Sequence, residues 1–282
     1  MLVIIRKLLF FLVFAVLFGC TDKAEKNSYE AFTKNELHFI SKFDHLPDAI
    51  VDYFRNISRT ERLSAFREHR QTISDPLKLV QYFGDYTPKY KEDYVELLTG
   101  VIERNDLTRY DSYTIDSSYI NILTGDEIRS IIDEQTEREK NIVSSDAQLI
   151  KKIQSKSVDI QYRSITSTES IIEVTGKYVV PNVYTNVIDL KYLPLEERKE
   201  KFIDMLLPSV LTAAYGINQT QERISGIMDR KARNEPVSEE DSLFLQKQLK
   251  AWRAEEGEEL LNEKLITRPN SIMLAQAALE TG

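Results

Sequence analysis

Apolar side chains recur every three or four positions along most of this chain, and this spacing predicts a mainly α fold. The segment 106–119 breaks the spacing, because it is rich in Tyr, Asp, Ser and Thr, and is expected to be a loop. Before residue 156, the stretches with helical spacing are 36–43, 47–55, 60–71, 77–83, 91–103 and 127–155.

The pattern changes between residues 158 and 180, where β-branched residues partly alternate with polar ones. We predict two short strands there, Val158–Tyr162 and Ile171–Val174, with a turn near Ser167 and Thr168. An extended arm is an equally good interpretation of the same residues. The expected fold class is therefore mainly α: a helical N-terminal region, a short β segment near 158–180 and a helical C-terminal region.

Prolines and capping residues mark the helices of the C-terminal region. Pro208 is expected to end a helix that begins after Pro194, because proline lacks the amide that a helix interior requires. Ser238 and Asp241 resemble a capping box at the start of a later helix, which Gly257 is expected to stop. The helices predicted after Pro194 are 196–207, 209–233, 239–255, 258–265 and a last helix that starts at Pro269 and Asn270.

The last helix carries a candidate catalytic group. Gln276 and Glu280 are four positions apart and therefore share one helix face. Apolar neighbours indicate that this face is partly buried, and burial raises the pKa of a carboxyl. A raised pKa is what a general acid in glycoside cleavage needs. The alternative is that Glu280 merely ends a helix, since glutamate is a common helix residue.

Composition and charge limit the possible partners. Of the 282 residues, 42% are hydrophobic and 29% charged, as in an ordinary folded protein. The net charge of −8 argues against nucleic acid, because phosphate backbones require a basic surface. Cys20 is the single cysteine, so no disulfide forms within the chain, and the three histidines have no metal-ligand spacing. We therefore expect no metal and no cofactor.

The first residues are typical of a secretion signal. Arg6 and Lys7 precede an apolar run over 8–18, which is too short for a membrane-spanning helix. The run ends in Leu-Phe-Gly-Cys, which resembles the lipobox of bacterial lipoproteins and implies that Cys20 receives the lipid. Thr21 then favours the periplasmic face of the outer membrane by the same resemblance. An ordinary signal peptide or an uncleaved anchor remains the alternative.

The run Leu274-Ala275-Gln276-Ala277-Ala278-Leu279-Glu280-Thr281-Gly282 closely resembles the signature Ala-Gln-Ala-Ala-Leu-Glu-Ser-Gly of bacterial glucosaminidases, family 73 of the glycoside hydrolases. In that family the glutamate is the general acid, and Glu280 is its match. The residues before it are similar to the Bax-like branch of the family. The points of similarity are Val180-Pro181, Glu197-Arg198-Lys199, Phe202, Leu206-Leu207-Pro208, Glu222-Arg223, Ile266 and Pro269.

The resemblance implies a peptidoglycan hydrolase of endo-β-N-acetylglucosaminidase type, with peptidoglycan glycan strands as substrate and a lysozyme-like catalytic domain. The expected organisation is a signal peptide over 1–19, a tether over 20–34, an unassigned helical region over 35–180 and the first part of the catalytic domain over 181–282. In the family a Trp-Gly step and further helices follow the signature. We therefore expect the given chain to be incomplete and inactive alone, with its second catalytic group unassigned.

Two other functions fit the same residues. One is a non-catalytic envelope lipoprotein that acts as a scaffold or regulator through residues 35–180, which carry no catalytic signature. The other is a periplasmic helical domain in which the match to the signature is accidental. If the protein is the hydrolase, its expected partners are peptidoglycan glycan strands and, through a lipidated Cys20, a membrane.

Overall fold

The computed structural model describes residues 46–86, 91–123, 155–267 and 269–281. Of these residues 66% are helical and 6% lie in strands, so the prediction of a mainly α fold is confirmed. The predicted helix 36–43 lies outside the described residues. So does the predicted helix 127–155, except for Ser155, which begins a strand.

Eight α-helices are found in the described part of the chain, and we number them in chain order. They are α1 Leu46–Arg59, α2 Ser64–His69, α3 Pro76–Leu79, α4 Lys91–Arg104, α5 Leu195–Ala232, α6 Glu239–Ala251, α7 Glu258–Lys264 and α8 Asn270–Thr281. Tighter 3-10 turns cover Glu61–Leu63, Val80–Tyr86, Leu107–Ser112, Ser117–Tyr119 and Thr168–Ser170. The predicted loop 106–119 is thus largely a pair of 3-10 turns.

Three pairs of short strands are found in the same part of the chain. Two pairs are parallel: β1 Thr114–Ile115 with β5 Tyr178–Val179, and β4 Gln161–Arg163 with β6 Asn182–Tyr184. The third is antiparallel and joins β2 Ile120–Leu123 to β3 Ser155–Val158. The β segment near 158–180 therefore pairs with residues on both sides of it.

The strand predicted at Ile171–Val174 does not form, because its amides bond to side chains. The amide of Ile172 donates to the Tyr184 hydroxyl at 2.8 Å, and the amide of Val174 donates to Oδ1 of Asp204 at 2.9 Å. These bonds attach the segment to β6 and α5 as an irregular chain. The predicted turn near Ser167 is confirmed by the 3-10 turn Thr168–Ser170.

Helix α5 is the centre of the fold and runs for 38 residues, with Pro208 in its interior. The prediction that Pro208 ends the helix is therefore wrong. Every residue from Phe202 to Ala213 is buried. Interior proline costs about 3 kcal/mol. Burial of each large apolar side chain stabilises the folded state by roughly 1.5–3 kcal/mol. The burial of this stretch therefore outweighs the missing hydrogen bond.

The other C-terminal helices follow the sequence signals closely. Ser238 begins α6 by accepting a hydrogen bond from the Asp241 amide at 3.1 Å, as the capping pattern predicts. The Asp241 carboxylate does not reach back to Ser238 but binds Arg223 and Arg230 of α5. Helix α6 ends at Ala251, before the predicted end at 255, and Gly257 precedes α7 rather than ending α6.

One hydrophobic cluster joins these elements, with members from Ile50 in α1 to Ala275 in α8. Helix α5 contacts α1, α7, α8, β1 and β6, and α8 also packs against α4 and the turn Leu107–Ser112. The core thus takes side chains from both sides of the predicted boundary at Pro181. Among the described helices, none has the length and apolar character that crossing a membrane requires.

Candidate functional site

Helix α8, which carries Glu280, is held at its first turn by an aspartate from a distant turn. The Ser271 amide donates to Oδ1 of Asp111 at 2.7 Å, and the Ser271 hydroxyl donates to Oδ2 at 2.8 Å. The Asn270 side-chain amide donates to the Tyr110 carbonyl at 2.8 Å. The first amides of a helix lack partners within the helix, so the turn Leu107–Ser112 caps α8.

Two opposing effects act on the charge of the Asp111 carboxylate: burial disfavours it, and hydrogen bonds from Ser271 favour it. Burial is the largest effect and raises the pKa of Asp111, while the two hydrogen bonds from Ser271 partly oppose the increase. The N-terminus of a helix also favours a negative charge. Asp111 is therefore a structural anchor for α8 whose strength depends on its protonation.

One turn before Glu280, Gln276 lies in the interior with an exposed fraction of 2%. The Tyr53 hydroxyl of α1 donates to Gln276 Oε1, and Gln276 Nε2 donates to the Tyr94 hydroxyl of α4 at 3.1 Å. The sequence predicted that this face of α8 is partly buried, and at Gln276 that prediction is confirmed. The amide connects α8 to two other helices.

The tyrosine that accepts from Gln276 belongs to an aromatic group. The Tyr94 ring stacks on Tyr86 with centroids 5.4 Å apart and lies 6.4 Å from the Phe83 ring. Phe83 in turn meets Phe66 edge-on at 4.7 Å, and both phenylalanines are fully buried. Packing of these rings leaves the Tyr94 hydroxyl little freedom to move.

The small residues of α8 pack against the core. Ala275 is completely buried, together with Ile272 and Leu274. Ala277 and Ala278 are partly buried and pack against the same hydrophobic cluster. Helix α8 therefore has little room to shift toward α4 or α5.

Glu280 belongs to α8, as the helical spacing predicted, and follows Gln276 by one turn. Its side chain lies outside the described part of the structure, so its raised pKa and its role as general acid stay predictions. Cys20, the expected lipid attachment site, lies outside the described residues, as do the predicted signal peptide 1–19 and tether 20–34.

A second catalytic group would be another carboxylate that is not already engaged in a structural contact. Glu258 pairs with Lys231, and Glu263 accepts from Arg67 Nε at 3.2 Å, while Glu259 is exposed. Asp204 is buried; burial raises its pKa, and its bond to the Val174 amide opposes the increase. All of these groups except Glu259 have structural partners.

Sequence reasoning missed Tyr53, Tyr94 and Asp111. Tyr94 belongs to the apolar repeat that predicted α4, but nothing local indicates that its hydroxyl meets Gln276. Asp111 lies 160 positions before Ser271, in a segment that was expected to be loop. The sequence near each of these three residues carries no signal for its contact, because all three contacts depend on how distant elements pack.

Within the described residues, no group of His, Cys, Asp and Glu side chains has the arrangement of a metal site. Comparison of the chain with protein-family models, with curated proteins and with solved structures finds no match. The resemblance at 274–282 therefore stands on its own residues.

Proposed function

We propose that this protein is a peptidoglycan hydrolase of endo-β-N-acetylglucosaminidase type, attached to the cell envelope through a lipidated Cys20, with Glu280 as its general acid. The observation that carries the proposal is the nine-residue run 274–282, which resembles the glucosaminidase signature. The lysozyme-like catalytic domain, which the resemblance extends over 181–282, belongs to the same proposal.

The anchoring of α8 supports this assignment physically. A general acid must be held within hydrogen-bond reach of the glycosidic oxygen, and it must keep its proton near neutral pH. Helix α8 is fixed at its start by Asp111 and in its middle by Gln276. The backbone of residue 280 lies on the next turn of this anchored helix.

The test uses the protein translated from the complete reading frame that contains this chain. Purified peptidoglycan is digested, and the new reducing ends are identified as N-acetylglucosamine or N-acetylmuramic acid. We expect N-acetylglucosamine ends, and we expect Glu280→Gln to lower the rate at least a thousandfold while the melting temperature stays within a few degrees.

Glu239→Gln is the matched control, because it makes the same chemical change at an exposed position of helix α6. Its rate should equal that of the unsubstituted protein. Full activity of Glu280→Gln would remove the proposed role. A protein that leaves peptidoglycan intact but retains stable envelope partners would instead favour the scaffold function.

The lipid anchor has a separate test in cells. Cys20→Ser removes the thiol that would carry the acyl chains, and several chains on one residue hold a protein firmly at a membrane. We expect the variant to leave the membrane fraction. A Cys20→Ser protein that still sediments with membranes would contradict attachment at this residue.

A further inference from the structure

Gln276 is a polar residue at a position where an apolar one would pack at lower cost. Burying an amide is unfavourable unless its oxygen and its nitrogen both find hydrogen-bond partners. Here the oxygen accepts from Tyr53 and the nitrogen donates to Tyr94, from two different helices. A methionine has a similar length and would need neither partner.

The two kinds of contact that hold α8 restrain different movements. Ile272 and Leu274 hold it by apolar contacts, which have no preferred direction. The Gln276 hydrogen bonds require particular angles as well as distances. They therefore restrain rotation of α8 about its own axis more tightly than the apolar contacts do.

We propose that Gln276, held by Tyr53 and Tyr94, is a positioning residue that sets the rotation of α8 and through it the placement of Glu280 relative to the glycan. This inference rests on the proposed function. Residues 276 and 280 are about one turn apart, roughly 6 Å along the axis. At roughly 6 Å from the axis, a rotation of about 10° moves an atom by about 1 Å. Such a displacement can lower a rate about a hundredfold.

The experiment measures kcat, KM and melting temperature for variants of the complete protein, on soluble peptidoglycan glycan strands. Gln276→Met removes both hydrogen bonds and keeps the side-chain length. We expect kcat to fall at least tenfold while KM stays within threefold, at a temperature below every melting transition. Tyr53→Phe and Tyr94→Phe each remove one hydroxyl and should give smaller losses of kcat.

Asp241→Asn is the control for a general loss of stability. It weakens the ion pairs of α6 with Arg223 and Arg230 and leaves the contacts of α8 intact. We expect a lower melting temperature and a kcat within twofold of the unsubstituted protein. A kcat loss as large as that of Gln276→Met at an equal loss of melting temperature would overturn the inference.

Combining the substitutions separates positioning from independent effects. If Tyr53 acts through Gln276, then Tyr53→Phe added to Gln276→Met lowers kcat no further. Additive losses, or a Gln276→Met protein with kcat within twofold, would overturn the inference while the hydrolase function stands. If Gln276→Met fails to fold, the kcat values of Tyr53→Phe and Tyr94→Phe test the inference instead, since each of these variants loses only a hydroxyl. An inactive unsubstituted protein refutes the proposed function and this inference with it.

Discussion

At the residue scale, Asp111 shows how one carboxylate can stabilise a helix and still titrate unusually. It accepts two hydrogen bonds from Ser271, and these favour its charged form. Burial is nevertheless the larger effect and raises its pKa. The folded protein therefore binds a proton at Asp111 more tightly than the unfolded chain does.

The raised pKa of Asp111 predicts a pH dependence of stability with a definite sign. Because the native state holds the proton more tightly, the free energy of unfolding falls as the pH rises from the ordinary aspartate value of about 3.9 through the raised native value. Asp111→Asn removes this titration. Denaturant unfolding from pH 3.5 to 7 measures the free energy of unfolding of both proteins. As the pH rises, this free energy should increase for the Asn variant relative to the unsubstituted protein.

Asp111→Ala is the companion variant, because it removes the cap and not only the charge. The Ser271 amide loses its acceptor, and lost N-terminal caps cost about 1 kcal/mol. We expect Asp111→Ala to be less stable than Asp111→Asn at every pH. Parallel stability curves for Asn and the unsubstituted protein would contradict the assigned titration.

The candidate site could be predicted from the sequence only in its local part. The spacing of Gln276 and Glu280 predicted a shared and partly buried face, and Gln276 is 2% exposed. Its partner Tyr53 lies 223 positions earlier in the chain. Periodicity shows which face of a helix is buried, but it holds no information about the helix that covers that face.

At the scale of the elements, helix starts were predicted well because their signals are local. Ser238 and Asn270 lie at the predicted positions, since capping involves residues only three or four apart. Two predictions failed where tertiary contacts decide. Burial carries α5 through Pro208, and side-chain acceptors prevent the strand at Ile171–Val174.

The replacement of a strand by side-chain acceptors can be tested by hydrogen exchange. Asp204→Ala removes the acceptor of the Val174 amide and leaves Tyr184 in place. We expect exchange at Val174 to accelerate at least tenfold, while the Ile172 amide stays protected. Tyr184→Phe should accelerate exchange at Ile172 and leave the Val174 amide protected, since Ile172 donates to the Tyr184 hydroxyl.

Each variant in this pair is the control for the other. Because burial raises the pKa of Asp204, the charged acceptor carries a cost that Asp204→Asn would remove while keeping an oxygen for Val174. That third variant should retain protection of the Val174 amide. Equal exchange at both amides in all three variants would show that the segment is held by other contacts.

At the scale of the whole molecule, the core joins regions that the sequence pattern separates. The change of pattern near Pro181 predicted a boundary, yet α1 packs on α5 and α4 packs on α8. Trp252, at the end of α6, lies under the Arg55 guanidinium of α1, 5.7 Å from its ring centre. A boundary in sequence pattern therefore need not divide the hydrophobic core.

This shared core predicts that residues before and after Pro181 unfold together. Trp252 is the single tryptophan and is 2% exposed, so its fluorescence reports loss of the core in the C-terminal region. Ile57→Ala in α1 and Ile227→Ala in α5 remove side chains that are 2% and 0% exposed. Each should cost about 2–5 kcal/mol, because each leaves a cavity. Both variants should therefore lower the denaturant midpoint of the Trp252 transition by similar amounts. If Ile57→Ala left that midpoint unchanged while Ile227→Ala lowered it, the two regions would be independent folding units, since a cavity in α1 would then have no effect on the core that surrounds Trp252.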